Sequence, residues 1–594
     1  MKANKLTAWI LTLVCAAAAR VTLADAEPVA PKIEPLDQAF LTRVVRRTLE
    51  QHVEAGTVYQ PTYVPRALAG MQCQIVVTLR QFGYIRGVGS SIRMAAVTAA
   101  RDAALAALDD AASVGPVTRE WLGRIHIETE AIGQPVPLAF AGRWDDPAAF
   151  HGLVEPGIDG LALKLGNVSK RFLPSHIISQ GIEVYEAAQA LAQQLAPSIE
   201  QLEGAELFRF RSTHWHELTP GGQVVQLHRG LILIEPDEVT DENLARTIGH
   251  IADYMVYRQL PTGWFSYQYK PSNDTYLEDD NLVRQAGVAW GLAVHGRDYD
   301  KTATLGASEK ALERLASRIV DLPGVPDAAF VAGRKKRHKL GITALTVLAM
   351  FDHPNAEKFA DKRRRLINGI YWLQRPSGKF VTAFPPTRKL SDQYYFPGEA
   401  LLALARDYEH QPNQRAVDAF GTAYGFYTKF FRDNPMPPFV PWQAQAFARM
   451  ALPTKKRAYA DYVFEMTDWL LSKQYTPENC PWPELYGGVA AYVNAPPGVA
   501  TAAYLEGISD ALLLARKWGD RERAARYERA VRLAARFVMQ LQFRPEEAYY
   551  VRSKPDTVWG TRTTLTRNHL RIDHSQHALM ALMKSRRLLF GPPS

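Results

Sequence analysis

The segment Gln259-Leu-Pro-Thr-Gly263-Trp-Phe265 recurs later in the chain as Gln374-Arg-Pro-Ser-Gly378-Lys-Phe380. In both copies a glutamine ends a charged amphipathic segment, and a glycine and an aromatic residue follow. Two degenerate copies are Gln474 with Gly487-Gly488 and Gln542 with Tyr549-Tyr550. We expect each glutamine to tie its helix to the next turn, so these loops indicate one structural unit repeated along the second half of the chain.

Helical segments of two kinds alternate from Asp241 onward. The charged amphipathic segments cover 242–258, 308–320, 356–373, 414–431, 456–471 and 521–541. The segments rich in small residues cover 281–294, 339–351, 398–408, 442–450, 499–516 and 574–583. Small residues let helices crowd together, whereas an amphipathic helix turns one face to water. The alternation predicts an all-α (α/α)6 toroid over residues 241–590, and an open helical solenoid is the alternative.

Residues 38–215 have a mixed pattern that predicts an α+β domain. Helices are expected over 39–53, 94–108 and 183–195, and strands over 74–80, 125–130 and 160–164. A turn is expected over 83–89, and His214 and His216 are expected in a solvated loop. The Pro-rich stretch 27–37 is typical of a linker, and 216–240 is expected to bridge to the toroid, in part as a hairpin. The predicted fold class is therefore multidomain.

The first 26 residues have the pattern of a secretory signal peptide. Lys2 and Lys5 precede a short apolar run, and Ala24-Asp25-Ala26 has the form of a small-x-small cleavage site. Cleavage near Ala26 predicts a periplasmic or secreted protein. A membrane anchor, or a lipoprotein attached at Cys15, is the alternative. No later stretch is long and apolar enough to span a bilayer.

The composition is that of a globular protein, with 47% hydrophobic, 22% charged and 10% aromatic residues, which excludes a disordered chain. Residues 1–26 carry three basic residues and one acidic residue, so without them the net charge of +9 becomes +7. That excess is too small to indicate nucleic-acid binding. Beyond residue 26 the cysteines are Cys73 and Cys480, which allow one disulfide at most. Neither has metal-ligand spacing, so we expect no metal and no cofactor.

The first domain resembles the AMMECR family over about residues 38–215. The resemblance lies in Val77-Thr-Leu-Arg80 and Gly83-Tyr-Ile-Arg-Gly-Val-Gly89, which match the family's strand and its Arg-Gly-Cys-Ile-Gly turn, and in 155–163 and 173–174. Val88 stands where the family has its cysteine. The resemblance implies a fold but little chemistry. Residues 86–89 are expected to form either a tight turn that needs positive φ or a backbone groove for a small ligand or peptide.

The second domain resembles the superfold of the six-hairpin glycosidases and terpenoid cyclases over residues 238–590. The segments that carry the resemblance are 263–269, 279–287, 394–400 and 571–577. That superfold includes hydrolases, lyases, epimerases, cyclases and binding proteins, so the fold alone does not decide the function. The sequence has no Asp-x-Asp-Asp motif of the kind that terpene cyclisation needs.

Polar and aromatic residues concentrate at the starts of the predicted inner helices, where the loops of a toroid open on one face. The candidate catalytic residues are Asp280, Tyr395, Glu399, Asp573 and His577. The candidate substrate-binding residues are Trp264, Tyr267, Tyr269, Asn281, Arg284, Arg388, Tyr394, Trp442, Gln443, Tyr504, Glu506, Arg571 and His574. Aromatic rings beside carboxylates are typical of a sugar site, because sugar rings stack on aromatic faces and glycoside hydrolysis uses two carboxyl groups.

Several of these residues also have structural interpretations. Asp280 and Asp573 stand where helix caps stand, and Glu399 suits the dipole of a first helical turn. His574 and His577 share a helix face, and we expect them to line the site rather than to bind a metal. The basic residues in the loop 552–571 and at 388–389 are either solvated or positioned to bind acidic glycans, whereas the runs 334–337 and 362–365 are expected at the surface.

These features predict an exported envelope protein whose toroid acts on an acidic bacterial polysaccharide, as a glycoside hydrolase or a lyase. In a hydrolase Glu399 would be the acid/base opposite Asp280 or Asp573, whereas in a lyase or epimerase Tyr395 or His577 would act near a basic group. The alternative is a non-catalytic glycan-binding or scaffold protein with an AMMECR-like interaction module. The expected partner is a glycan, with no nucleic acid and no stable membrane span, and the oligomeric state stays open.

Overall fold

The computed structural model describes residues 27–592 except 141, 151, 197, 388–389 and 491–495. The predicted signal peptide and the candidate Arg388 therefore lie outside the described residues. The chain forms two compact units. Unit 1 contains the described residues up to Leu233 together with Pro545–Lys554 and Thr566–Asn568, and unit 2 contains the remainder.

Unit 1 is an antiparallel sheet of nine strands with six α-helices among its described residues. The strands are β1 (Gln72–Gln81), β2 (Tyr84–Ser90), β3 (Met94–Ala95), β4 (His126–Ile132), β5 (Val136–Pro137), β6 (Asp159–Leu165), β7 (Val168–Phe172), β8 (Glu206–Glu217) and β9 (Val224–Leu227). The helices are α1 (Pro35–Ala55), α2 (Arg66–Ala69), α3 (Ala96–Val114), α4 (Arg119–Leu122), α5 (Pro174–Gln180) and α6 (Val184–Leu195). The main order is β2-β1-β4-β8-β6-β7, with β3 on β1 and with β5 and β9 on β8. The predicted α+β class is confirmed.

Helix α3 packs directly on β1 and β2, and the two sequences explain how closely they meet. Alanines favour a helix and leave a flat surface on it. A Cβ on Gly87 would lie 2.2 Å from the carbonyl oxygen of Ala107, and one on Gly89 would lie 2.1 Å from that of Ala103. The strand can therefore approach the helix only because both positions are glycine.

Four predictions for this region are wrong in detail. The turn expected over 83–89 is confined to Phe82 and Gly83, whose φ angles are positive, and β2 follows at once. The linker expected over 27–37 ends earlier, because α1 begins at Pro35. Part of the bridge expected over 216–240 is β9, which pairs with β8 inside the sheet. His214 and His216 lie buried in β8, where the carboxylate of Glu128 on the neighbouring strand replaces water at the ring of His214.

Unit 2 consists mainly of twelve α-helices in its described part, with five short strands in the loops. The outer helices are α7 (Asp241–Tyr257), α9 (Thr302–Ala316), α11 (Ala360–Trp372), α13 (Gln414–Asp433), α15 (Arg457–Leu471) and α17 (Arg521–Gln540). The inner helices are α8 (Leu282–Asp298), α10 (Leu340–Asp352), α12 (Phe396–His410), α14 (Val440–Thr454), α16 (Ala500–Trp518) and α18 (Ile572–Phe590). The strands are β10 (Gln268–Lys270), β11 (Thr275–Leu277), β12 (Ile319–Asp321), β13 (Ala329–Val331) and β14 (Leu570–Arg571).

The inner helices form a closed ring. Each packs on the next inner helix along the chain, and α18 packs back on α8, so the six helices surround one axis. Their small residues permit this: a Cβ on Gly507 of α16 would lie only 2.8 Å from the backbone of Pro441 in α14. The predicted (α/α)6 toroid is confirmed. The helix expected over 308–320 is displaced, because α9 ends at Ala316 and β12 follows.

The glutamines of the repeated loops connect successive outer helices around the ring. Each side-chain amide donates a hydrogen bond to a backbone carbonyl of a neighbouring outer helix. The pairs are Gln259 to Ala307 of α9, Gln374 to Ala419 of α13, Gln474 to Ala530 of α17 and Gln542 to Thr247 of α7, at 2.8, 2.8, 3.1 and 3.2 Å. Since α7 is the first outer helix and Gln542 follows the last one, the fourth copy closes the ring.

The fourth copy also corrects a prediction. In the clear copies the glutamine forms a β-bridge with the aromatic residue of its loop, as Gln259 does with Phe265. Gln542 instead bridges to Thr561, because the predicted partners Tyr549 and Tyr550 belong to unit 1. The chain leaves unit 2 at Pro545 and returns at Pro555, so the expected range 241–590 is interrupted.

Two further predictions concern the membrane and the cysteines. No helix in the part of the chain that the structure describes is long and apolar enough to cross a membrane. Cys73 lies in β1 of unit 1 and Cys480 in unit 2, and both side chains are buried thiols. Stability therefore comes from packing, not from a disulfide between these two residues.

Candidate active site

The six inner helices start at one end of the ring, which we call the starting rim and define as their first two turns. Neighbours touch at matching heights there: Gly341 of α10 lies against Glu399 of α12, and Gly398 lies against Trp442 of α14. The inner helices are therefore parallel. Six helix N-termini then point to one rim, and their dipoles favour negative charge in that region.

A histidine–carboxylate pair lies on the starting rim. Nδ1 of His577 in α18 is 2.7 Å from Oε1 of Glu506 in α16, and Glu506 is fully buried. The indole of Trp442 packs edge-on against the imidazole, with ring centroids 5.8 Å apart. About 21% of the His577 side chain is exposed. A carboxylate only accepts, so Nδ1 carries a proton, and in the neutral form of the ring the lone pair is on Nε2.

Glu399 is the second titratable group of the rim. Only 3% of it is exposed, and Oε2 has no hydrogen-bond partner within the described residues. Burial raises the pKa of its carboxyl to about 8, although the positive charge of Lys339 acts in the opposite direction. Glu399 is thus a neutral acid at pH 7, a state suited to proton donation.

Other buried polar groups of the inner helices also lack partners among the described residues. Both amide atoms of Gln443, Oε2 of Glu506, Nδ1 of His574 and Nε2 of Gln576 have none. Buried polar groups are normally paired, so a cluster of unpaired ones indicates hydrogen bonds kept for a ligand or for water. The sequence does not predict Gln576 as a site residue, because a single glutamine in a helix has no distinguishing pattern.

Arg284 and Asp573 form a charged group between α8 and α18. Nε of Arg284 is 3.0 Å from Asp573, and its guanidinium also donates to the Tyr267 hydroxyl. Arg571 contacts both carboxylate oxygens of Asp573, at 2.6 and 3.0 Å. Burial alone would raise the pKa of Asp573, but His574, Arg571 and Arg284 together hold it below its ordinary value. Burial also lowers the pKa of the adjacent His574, to about 3, so its ring is neutral.

Asp280 has a structural role that the sequence anticipated only in part. Asn281 is the N-cap of α8, and its side chain accepts from the backbone of Val283 at 3.0 Å. Asp280 instead accepts from Gln285 at 2.9 Å and pairs with Arg334 at 2.6 Å. Arg334, which the sequence placed in a surface run, is therefore a partner of a candidate site residue.

The remaining aromatic candidates occupy several different places in the toroid. Trp264 packs under Arg314 of the outer helix α9, and the ring of Tyr394 packs 5.5 Å from Phe430 of α13. Tyr269 is buried in the sheet of β10 and donates to Asp274 at 2.6 Å. Tyr395 precedes α12 and is 42% exposed, and Tyr504 is buried in α16.

The opposite end of the inner ring contains a cavity of about 330 Å³ with a basic lining. Three of its arginines are matched by acids: Asp352 contacts Arg297 and Arg406, each at 2.6 Å, and Glu409 contacts Arg449 at 2.9 Å. Cations near helix C-termini also offset the negative ends of the dipoles. Most basic side chains of this end are therefore held in ion pairs within the protein, and the starting rim is the better candidate for chemistry.

Unit 1 contains a separate buried polar cluster on β1, β4 and β8. Nε of Arg80 is 2.7 Å from Glu128, and His214 is 2.8 Å from the other oxygen of that carboxylate. Glu130 accepts from Ser212 at 2.6 Å and from Ser175. Burial lowers the pKa of His216, to about 3, which leaves that ring neutral.

This cluster includes the spacing of a metal site, because Glu128, Glu130 and His214 offer ligand atoms within 4.8 Å of one another. All these carboxylate oxygens already accept hydrogen bonds from protein groups, however. Arg80 also balances Glu128, so a divalent cation would add net charge to a buried interior. The spacing alone does not establish a metal site, and the expectation of no metal stays a prediction.

Residues 42–215 match the model of the AMMECR1 family. Unit 1 therefore contains an AMMECR1 domain. A protein of Aeropyrum pernix is 27% identical over 221 residues, which cover 35% of this chain and 90% of that relative. The AMMECR1 domain has its Gly83–Gly89 segment in the β1–β2 hairpin and includes the polar cluster up to His214, with His216 directly after the match.

Two solved structures resemble the second part of the chain. The α-mannanase of Bacteroides thetaiotaomicron has 11% identity and a TM-score of 0.43, over 59% of this chain and 98% of its own. The cellobiose 2-epimerase of Bacillus thermoamylovorans has 10% identity and a TM-score of 0.43, over 58% of this chain and 99% of its own. The toroid joined to the AMMECR1 domain is thus similar to both.

Proposed function

We propose that the toroid is an enzyme that acts on carbohydrate by acid–base proton transfer at its starting rim. The observation that carries the proposal is the pair of His577 and Glu506. A fully buried carboxylate orients the imidazole through Nδ1, and Nε2 is left with its lone pair on a partly exposed surface. This arrangement is typical of a general base, whose protonated form the carboxylate stabilises.

The surroundings of the pair favour a sugar as the substrate. The unpaired amide of Gln443 and carboxyl of Glu399 can exchange hydrogen bonds with hydroxyl groups, and Trp442 offers an apolar face. Arg284 and Arg571 lie next to Asp573, and the helix dipoles add positive potential. These charges favour an acidic sugar such as a uronate, whose carboxylate they can neutralise.

In the proposed reaction His577 removes a proton from the carbon beside the sugar's carbonyl or carboxylate group. Nε2 takes that proton, and Glu506 stabilises the resulting imidazolium. The electron pair moves toward the carbonyl oxygen, where a positive side chain offsets the charge. Glu399, neutral at pH 7, returns a proton either to the same carbon from the other side or to the leaving oxygen. The first course is epimerisation and the second is β-elimination by a lyase.

Glycoside hydrolysis is the second candidate, and the neutral carboxyl of Glu399 is the observation that favours it. A hydrolase also needs an ionised carboxylate. The two candidates for that carboxylate are Asp573, which is ionised, and Asp280, which directly precedes the N-cap of α8. Each of them contacts an arginine, and this contact makes a carboxylate a weaker base.

Export to the periplasm or beyond is part of the proposal and is supported by the signal-peptide pattern of residues 1–26.

The test is an assay of the purified chain on uronate polysaccharides and reducing disaccharides. Unsaturated-uronate absorbance reports a lyase, solvent deuterium at carbon reports an epimerase, and new reducing ends report a hydrolase. We expect H577Q to lower kcat by about 10²–10⁴-fold and E506Q by less. H353Q is the matched control, because His353 is buried at the far end of α10, where its ring accepts a hydrogen bond from the backbone of Asn355.

The outcomes separate the candidates. If H577Q kept full activity and E399Q had none, the enzyme would be a hydrolase and not a lyase or an epimerase. Retained glycan binding without any turnover would show a binding protein instead.

A further inference from the structure

One face of the sheet in unit 1 is polar and yet buried. Thr78 of β1 is the register partner of Glu128 in β4, and Glu128 is that of His216 in β8. Glu130 and His214 pair in the same way two residues away, and side chains alternate along a strand, so all five share one face. We call it the polar face. Sheet faces of this composition normally meet water or a ligand, because burying them is costly.

Two elements of unit 1 cover the polar face. One is α5, whose Ser175 donates to Glu130. The other is Pro545–Lys554, which we call the strap. The hydroxyl of Tyr549 in the strap donates to Glu128 at 3.1 Å, and its ring lies 4.2 Å from that of His216.

The strap makes further contacts along the β1–β2 hairpin. A Cβ on Gly83 would lie 2.5 Å from the backbone carbonyl group of Val551, so the glycine lets the strap backbone pass. Arg552 then lies over the ring of Tyr84, with its guanidinium carbon 4.4 Å from the ring centre. Residues Pro545–Tyr550 of the strap form a short 3-10 helix. Tyr549 near its end, the backbone at Val551 and the cation of Arg552 then contact unit 1 one after another, as the residues of a bound peptide do.

The polar face and the strap have different origins in the chain. Apart from His216, which directly follows the match, the face lies within residues 42–215, which match the AMMECR1 family, whereas the strap lies more than 300 residues later and outside that match. In addition, both ring nitrogens of His216 are fully buried without a partner among the described residues. The face therefore has hydrogen-bonding capacity that Tyr549 does not use.

We propose that the polar face of the AMMECR1 domain is a peptide-recognition site for tyrosine-bearing segments, and that the strap is its intramolecular ligand. The partner class is a peptide with a tyrosine followed, three residues later, by a basic residue. Glu128 recognises the phenol hydroxyl, and Gly83 and Tyr84 recognise the backbone and the cation. A second such peptide binds only when the strap leaves. This inference is independent of the chemistry proposed for the toroid.

The test uses the full chain with a weakened strap, Tyr549→Ala with Arg552→Ala, and a fluorescein-labelled peptide of residues 545–554. We expect anisotropy to show binding to this variant at least tenfold tighter than to the unmodified chain, whose face is occupied. Adding Glu128→Gln to the variant, or replacing Tyr549 by Phe in the peptide, should weaken binding at least fivefold.

The control Tyr257→Ala with Arg246→Ala changes the same residue types on the exposed side of α7 and should bind as weakly as the unmodified chain. Equal binding to all variants, or none to the weakened one, overturns the proposal.

A second measurement tests the proposal on the unmodified chain, in case the weakened variant does not fold. Amide hydrogen exchange of the unmodified chain is followed over a series of low urea concentrations. A strap that leaves its site exchanges by local opening, which urea hardly changes, whereas β4 and β8 exchange through urea-dependent unfolding. The same urea dependence in the strap and in β4 would make the strap a fixed part of the fold and overturn the proposal.

Discussion

At the residue scale, Glu399 has the most informative environment of the toroid. It stands in the first turn of α12, where the helix dipole favours a charged carboxylate. Burial favours the neutral form, and its effect is larger than that of the dipole, because the pKa of the carboxyl is raised to about 8. A helix-capping role would leave the group charged, so the neutral state favours the chemical role over the structural one.

The raised pKa of Glu399 makes a prediction for stability. Between its ordinary value of 4.5 and about 8 the folded state holds a proton that the unfolded state has lost. This contribution to stability is complete below pH 4.5 and declines by as much as about 1.4 kcal/mol per pH unit until about pH 8. The free energy of unfolding of E399Q, relative to that of the unmodified chain, should therefore rise from pH 5 to 8 and stay constant above pH 8.

Urea unfolding at several pH values measures this difference. E522Q changes a residue on the exposed side of α17, and its difference from the unmodified chain should not vary over this pH range. A difference that does not change with pH would show that Glu399 is ionised throughout.

At the element scale, the contact of β2 with α3 depends on two glycines. G87A would place a Cβ 2.2 Å from a backbone carbonyl of the helix, so strand and helix must separate. We expect a loss of about 1–3 kcal/mol in the free energy of unfolding of unit 1. Exchange of the β1 and β4 amides measures it. G70A is the matched control, since a Cβ there has no atom within 4 Å and the φ angle is −102°. Equal effects of the two substitutions would contradict the close approach.

The same elements show what the sequence can predict. The two kinds of helix in the toroid were predictable, because helical amphipathicity and small-residue content are local patterns. The hairpin at Gly83 was not, because a glycine needed for positive φ and one needed for a close approach look alike in the sequence. Only the position of Ala103 and Ala107 in the fold separates the two cases.

The site residues follow the same rule. Rim positions such as Glu399 and His577 could be found from their place at helix starts. The pairing of His577 with Glu506 depends on the packing of α18 against α16, which brings together two residues that are 71 positions apart in the sequence. His214 and His216 were misplaced because Glu128, the acid that bonds to the ring of His214, lies far away in the sequence, in β4. The strap was missed because Tyr549 resembles part of the repeated loop.

At the scale of the whole molecule, the toroid differs from an open solenoid by one seam. In an open array each repeat contacts only its neighbours in sequence, and the ends can fray. Here α18 packs on α8, and Arg586 of α18 pairs with Asp241 of α7 at 2.6 Å. Closure holds the first and last inner helices in place, so Arg284 of α8 and Asp573 of α18 meet at the rim.

The seam can be tested with two equivalent glutamines. Gln474 ties α15 to α17 inside the array, and Gln542 ties α17 to α7 across the seam; both are less than 5% exposed. In a closed ring both amides satisfy buried carbonyl groups, so Q474A and Q542A should each lower the free energy of unfolding of the toroid by about 1–3 kcal/mol. Urea unfolding followed by far-UV circular dichroism gives the loss, and exchange of the α7 amides shows where it falls. In an open array the seam bond would not exist, and Q542A would cost less than about 0.5 kcal/mol while Q474A kept its full effect. Equal losses therefore support the ring, and a loss in Q474A alone contradicts it.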